Sequence, residues 1–191
     1  EPVSRTLQHA LSDYAARHPD QGAVAAQFAQ FLASHPDVFH RHHPPGHFTG
    51  SAWLVSGEGE RVLLTHHRKL GRWLQLGGHA GALREACEES GLLGLSVEEA
   101  IFDLDRHRIP ARGSEPEHWH YDVRFVVHAG GDESFQVSEE SLDLAWRSIA
   151  GLLEDPETDA SIRRMAQRGG LGAKDPTPER FMPPDNRKVL V

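Results

Sequence analysis

Apolar residues recur at helical spacing in the first part of the chain and at strand spacing after it. Over 4–17, Leu7, Leu11 and Tyr14 fall on one stripe, with Ser4 placed to cap the helix. Over 20–34, Val24, Phe28, Phe31 and Leu32 form a second apolar face, with Asp20 as its cap. The two helices part at His18-Pro19 and predict a hairpin. The segment His40-Arg41-His42-His43-Pro44-Pro45-Gly46-His47 has no periodicity and reads as a linker. From Phe48 the pattern changes to strands at 48–55 and 60–66, joined by a turn at Gly57-Glu58-Gly59, and at 73–76. Further strands are predicted at 98–109, 118–128 and 142–147, and a closing helix at 158–168. Strands and helices in this order predict an α/β protein in which helices sandwich a sheet. Three parts follow: a helical extension and linker over 1–46, the sheet-bearing domain over 47–168, and a Gly- and Pro-rich tail over 169–191.

The strand at 73–76 runs into Gly77-Gly78-His79, and soon after comes Arg84-Glu85-Ala86-Cys87-Glu88-Glu89-Ser90-Gly91-Leu92. If this run is helical, Glu85, Glu88 and Glu89 lie at i, i+3 and i+4 and share one face. Three clustered carboxylates repel one another, and a divalent cation that takes oxygen ligands removes the repulsion. A solvated acidic face is the plainer alternative for these residues taken alone. Cys87 lies on the side away from Glu85 and Glu89 and reads as a packed thiol.

Together the glycine pair and the acidic run resemble the Nudix hydrolase signature: Gly, five residues, Glu, seven residues, then Arg-Glu-U-x-Glu-Glu-x-Gly-U, with U a bulky aliphatic. The second half matches at Arg84, Glu85, Glu88, Glu89, Gly91 and Leu92, with the small Ala86 at the first U. The first half is contracted: five residues separate Gly78 from Arg84 where the signature has thirteen, and the missing stretch would carry the first signature Glu. A true deletion would shorten the loop and remove the start of the helix. Alternatively, eight residues lie between two intact flanks and the sequence does not carry them; Gly77-Gly78-His79-Ala80 and Ala82-Leu83-Arg84-Glu85 each look like complete pieces of the pattern, which favours this second reading.

The resemblance implies a Nudix-like α/β/α sandwich with a mixed β-sheet, here with an N-terminal helical hairpin added. It implies a hydrolase that cleaves a phosphoanhydride in a nucleoside diphosphate linked to another moiety. Glu85, Glu88 and Glu89 would hold Mg²⁺ or Mn²⁺, with the carbonyl of Gly77 or Gly78 completing the shell. In the family, Arg84 orients a signature Glu, the residue absent here. The general base is left open among Glu85, Glu139, Glu140 and His120; Glu139 and Glu140 enter because many Nudix enzymes carry an acidic residue in a late loop. Two rivals follow from the same residues. If the contraction spoils the metal site, the chain is a catalytically impaired nucleotide-binding or regulatory module. An isomerase of the isopentenyl diphosphate type shares the fold but uses a Cys and a Glu, and Cys87 inside the acidic helix does not suit that chemistry.

A second constellation lies at Glu117-His118-Trp119-His120-Tyr121-Asp122-Val123-Arg124-Phe125-Val126-Val127-His128. Trp119, Tyr121, Val123, Phe125 and Val127 face one way, while His118, His120, Asp122 and Arg124 face the other. In a sheet covered on both sides a polar strand face is costly unless it lines a wet or ligand-filled site, which places this row beside the substrate; an edge strand with one solvated face is the alternative. Substrate contacts are therefore expected at Gly77, His79, His118, Asp122 and Arg124, and at Trp73, for which a core role competes. His118-x-His120 also has zinc-ligand spacing, with His66 or His67 the nearest thought for a third ligand, though the sequence identifies none.

Composition narrows the partners. A formal charge of −8 argues against nonspecific binding to duplex nucleic acid. One cysteine excludes an internal disulfide and suits a reducing, cytoplasmic setting. No apolar run reaches membrane-spanning length and no signal-peptide pattern opens the chain. The expected partner is a small nucleotide-type molecule, with a homodimer left open.

Overall fold

The protein is described here by a computed structural model that covers residues 2–68, 70–78, 86, 87, 89–137 and 141–169. His79, Arg84, Glu85, Glu88, Glu139 and Glu140 lie outside the described residues, as do the tail beyond 169 and the stretch 79–85 where the contraction falls.

Helices α1 (Pro2–Arg17) and α2 (Gly22–Ser34) form the predicted hairpin, joined by a 3-10 turn at Pro19–Gln21. Neither predicted cap acts as one. The first helix already begins at Pro2, which puts Ser4 inside it, and Asp20 is taken up by the 3-10 turn, so Gln21 stands at the N-cap of α2 without a side-chain cap bond. Seven strands follow among the described residues: β1 (Gly46–Val55), β2 (Arg61–His67), β3 (Trp73–Gly78), β4 (Ser96–Val97), β5 (Asp103–Ile109), β6 (His118–His128) and β7 (Ser141–Ser148). Helices α3 (Ile149–Glu154) and α4 (Ala160–Gly169) close the described chain.

The strands make one mixed sheet in the order β4-β6-β1-β3-β2-β7, with β5 also paired to β6. β1 and β6 run parallel over their whole length, from Gly46↔Trp119 to Val55↔His128, and the other pairings are antiparallel. The strand expected at 98–109 begins only at Asp103: Glu98 and Phe102 donate single backbone N–H bonds to Val126 and Arg124 of β6, and the chain between them bends away before β5 begins. The expected linker to His47 overlaps β1 by two residues, because Gly46 and His47 are already paired with β6 and buried.

Side-chain alternation along β1 and β6 separates two cores. Phe48, Ala52 and Leu54 with Tyr121, Val123, Phe125 and Val127 meet Leu7, Leu11, Tyr14, Phe28, Phe31 and Leu32 of the hairpin, and Ala86 and Leu92 join them. On the opposite face Trp53, Val55 and Val126, with Val62 and Leu64 of β2, pack under Ile149 and Leu152 of α3 and Ile162, Met165 and Ala166 of α4. The sheet therefore lies between helices on both sides, an α/β/α sandwich.

Phe28 fixes the hairpin to this sandwich. It is fully buried, and its ring meets Tyr121 edge-on at 5.2 Å and Phe48 at 6.1 Å between centroids. Truncating a buried phenylalanine costs about 3–5 kcal/mol through lost transfer energy and the cavity left behind. Phe28→Ala is expected to lower stability by that amount in urea unfolding followed by tryptophan fluorescence. A loss below 1 kcal/mol would mean that the hairpin does not share the core.

Candidate active site

The acidic helix is present where the sequence places it: residues 86, 87, 89 and 90 are helical. Gly91 ends it with φ +69°, a left-handed conformation that glycine adopts without a Cβ penalty, and its N–H donates to Cys87 O at 2.9 Å. Ser90 Oγ bonds back to Ala86 O and accepts from Leu92 N at 3.1 Å, which finishes the stop. Cys87 is partly buried.

Glu89 is the acidic residue whose setting is visible. It is 7% exposed, and its Oε1 accepts a hydrogen bond from the backbone N–H of Gly77 at 3.1 Å. The carboxylate thus meets the end of β3, beside the backbone of the glycine pair. A Cβ at Gly77 would come within 2.3 Å of Ser51 Oγ, so glycine is required for β3 to lie this close to β1. Next to it Gln75 donates to Ser51 Oγ at 3.4 Å, and Gln75 Oε1 is buried with no hydrogen-bond partner among the described residues. Trp73, one turn of the pleat further back, is partly buried against the α3/α4 core, with its ring 5.2 Å from that of His66. Arg72 pairs with Asp159 at 3.0 Å.

β6 is an interior strand, flanked by β1 on one side and by β4 and β5 on the other. Its polar row is continued by His47, Thr49 and Ser51 of β1 and by Asp103, Asp105 and His107 of β5, the cross-strand neighbours on the same face. The face is therefore divided: an apolar half under α3 and α4, and a polar half that runs from the histidines to Ser51 and Gln75.

Most of this polarity is satisfied internally. Asp122, 2% exposed, accepts from Thr49 Oγ1 at 2.9 Å, from Ser51 Oγ at 2.7 and 2.8 Å, and from Arg124 Nε at 2.9 Å. Arg124 also reaches Asp103 at 3.2 Å and Asp105 at 3.3 Å. Asp103 is fully buried and takes two further guanidiniums from α4: Arg164 at 2.9 and 2.7 Å, and Arg168 at 2.7 Å. Arg168 goes on to Tyr14 Oη of α1 at 2.9 Å, which ties both helical layers to one carboxylate. Burial alone would raise the Asp105 carboxyl, but the hydrogen bond from His107 and the guanidiniums of Arg124 and Arg164 outweigh it and hold the group well below the usual carboxylate range.

Of the residues expected to line the site, the structure brings Glu89, Gly77 and Gly78 together, and separately brings His118 and His120 together, with His118 Nε2 3.1 Å from His120 Nε2. Asp122 and Arg124 belong to the ion network that connects strands. His47 was missed because it stood at the end of a His- and Pro-rich run; the alternation His47, Thr49, Ser51 was the signal that could have found it. Arg164 and Arg168, spaced four apart on α4, read in sequence only as the polar side of a closing helix.

No family model matches the chain, and no curated protein matches it. Among solved structures it is similar to the Ap4A hydrolase of C. elegans in a binary complex, with a TM-score of 0.50 at 15% identity over 64% of this chain and 94% of that one. It is also similar to a hydrolase of the NUDIX family from Clostridium perfringens (TM-score 0.47, 25% identity, 64% and 95% of the two chains). A third is the dihydroneopterin triphosphate pyrophosphohydrolase of E. coli (TM-score 0.48, 14% identity, 63% and 92%). At 15% identity the likeness to the nematode hydrolase is one of fold.

Removing the shared carboxylate leaves three arginines facing one another. Asp103→Ala is expected to destabilise the protein by about 3–5 kcal/mol in urea unfolding, the cost of breaking a buried ion pair from one side. The pH dependence follows from Asp105. Its folded pKa lies below its unfolded value, so its contribution is fully present above the unfolded carboxylate value of about 3.9 and is lost as pH falls below it. Thermal unfolding across that range should show a shallower acid limb in Asp105→Asn than in the parent; identical limbs would show that the group does not titrate abnormally.

Proposed function

We propose that this chain, a Nudix-type α/β/α fold, is a divalent-metal-dependent pyrophosphohydrolase that cleaves a phosphoanhydride in a nucleoside diphosphate joined to another moiety. The observation that carries the reading is the contact between Glu89 and the N–H of Gly77, which docks the acidic helix against the end of β3. That contact joins the two pieces of sequence, glycine pair and acidic run, from which the resemblance was drawn.

The donor set fits the proposed ion. Glu89, its sequence neighbours Glu85 and Glu88, and the backbone carbonyl of Gly77 or Gly78 offer only hard oxygens, the chemistry that Mg²⁺ or Mn²⁺ prefers. When bound, the ion neutralises diphosphate charge and lowers the pKa of the attacking water. The chain's own groups do the rest. The bond from Gly77 holds one Glu89 oxygen in place at the end of β3. Gln75 Oε1, buried beside Ser51, supplies an acceptor for a substrate hydroxyl or amino group. Glu85, Glu139, Glu140 and His120 are the proposed bases for removing the water proton, a step worth about 10²- to 10⁴-fold. Asp122 and Arg124 act on the site through Ser51, whose hydroxyl they orient.

A panel of nucleotide sugars, dinucleotides, ADP-ribose and oxidised nucleoside triphosphates, assayed with Mg²⁺ and phosphate detection, tests the class. Glu88→Gln is expected to lower kcat about a hundredfold or more while leaving the circular dichroism spectrum unchanged, since a ligand is lost without loss of packing. Activity within a few-fold of the parent would refute the assignment.

A further inference from the structure

We propose that His47, His118 and His120 form a second metal site, of nitrogen character and suited to Zn²⁺, separate from the all-oxygen site of the acidic helix. The three come together because β1 and β6 are parallel neighbours. His47 stands directly beside His120 in the register, and His118 is two residues earlier on the same face of β6. One ligand atom from each lies within 4.8 Å of the others. The rings are packed together as well: His47 lies 5.3 Å from His118 and 4.6 Å from His120 between centroids.

The hydrogen bonding around His118 settles which nitrogen is offered. Its Nδ1 lies 2.9 Å from the carbonyl oxygen of Pro116, an atom that can only accept, so Nδ1 carries the proton and Nε2 presents its lone pair. This is how a metal-bound histidine is usually held: one nitrogen donates to a backbone carbonyl and the other faces the ion. That Nε2 is 3.1 Å from His120 Nε2. With Zn–N bonds of about 2.0–2.1 Å, two ligands of a tetrahedral ion stand about 3.3 Å apart, so a small adjustment admits the metal between them. On the far side of His120, His107 is the cross-strand neighbour, and its Nδ1 is held by Asp105 at 3.0 Å.

Burial and access also fit. His47 is fully buried, His118 is 7% exposed and His120 is partly buried, so two of the three imidazoles are withdrawn from solvent and the third borders it. A cavity of about 310 Å³, lined by His42, His43, Ser114, Glu115 and Pro116, ends on His118. It gives an ion a way in and leaves room for a water molecule or another small ligand in a fourth position, the arrangement of three-histidine zinc sites. Imidazole nitrogens select Zn²⁺ and its neighbours over Mg²⁺, so the two sites are chemically separable. A consequence for the chemistry of the chain is that His120, with Nε2 on a metal, has no lone pair there with which to act as a base.

The test is zinc binding by the chelator-stripped, full chain in excess Mg²⁺, measured by competition with a chromophoric chelator. One tight Zn²⁺ per chain is expected. Glu89→Gln should retain it, whereas His120→Gln and His47→Gln should each weaken it by more than the roughly 100-fold that loss of an outer-shell partner costs. Equal zinc affinity in the parent and both histidine variants would overturn the proposal, and so would loss of the site in Glu89→Gln alone. Because a substitution at the buried His47 also bears on folding, X-ray absorption on the zinc-loaded parent decides independently. Imidazole scattering with first-shell distances of about 2.0–2.1 Å supports the site, and a shell of oxygen ligands alone refutes it.

Discussion

The arrangement depends on one buried carboxylate. Asp103 has no solvent exposure and is met by three guanidiniums, one from the neighbouring strand and two from α4. Taking such charges out of water is costly, and their mutual attraction offsets the cost only when geometry and hydrogen bonding are nearly complete. Here they are: Asp103, Asp105 and Asp122 alternate in space with Arg124, Arg164 and Arg168, and Thr49, Ser51 and His107 take up further polar atoms of the acids. The network adds little net stability by itself. What it adds is dependence: no single member can be lost without leaving a charge uncovered, so β1, β5, β6, α1 and α4 hold one mutual geometry.

That constraint explains how one sheet face can be both core and site. Where β6 carries Val126, α3 and α4 cover it with aliphatic side chains; where it carries Arg124 and Asp122, the ion network is the cover; and where it carries His120 and His118, no element among the described residues packs over it except the histidines of β1 and β5 and the walls of the cavity. Polarity rises along the strand as helical cover falls away. The close approach of β3 to β1 at Gly77 extends the polar zone to Glu89, so the acidic helix and the ionic network border the same strip of sheet through Ser51.

Much of this was legible in the sequence, for physical reasons. The bounds of β6 were read correctly because a nearly perfect alternation of large apolar and polar residues, broken only at Val126, has few other solutions. The hairpin was visible in its Leu and Phe spacing. What stayed hidden depends on partners distant in the chain. That His47 opens a strand is decided by β6, some seventy residues on, and local composition pointed to a loop. That the strand expected at 98–109 begins only at Asp103 is decided by where β6 offers carbonyls. Polar residues on β6 could be assigned to a buried face, but not divided into those consumed by Arg164 and Arg168 and those that were not, because the arginines of an amphipathic helix look alike whether they meet water or Asp103.

The parallel pairing of β1 with β6 has a consequence in time as well as in space. Every other pairing apart from those of β7 and β2 joins segments that are near in sequence, whereas these two strands meet only when a loop of about seventy residues closes between them, at an entropic cost that grows with its length. Until that closure, Asp122 stands apart from Thr49 and Ser51, and His47 from His120. Closure therefore brings the two halves of this polar face together in one long-range step, and a ligand that bridges β1 and β6 would act as a clasp on a seam whose sides lie far apart in the chain.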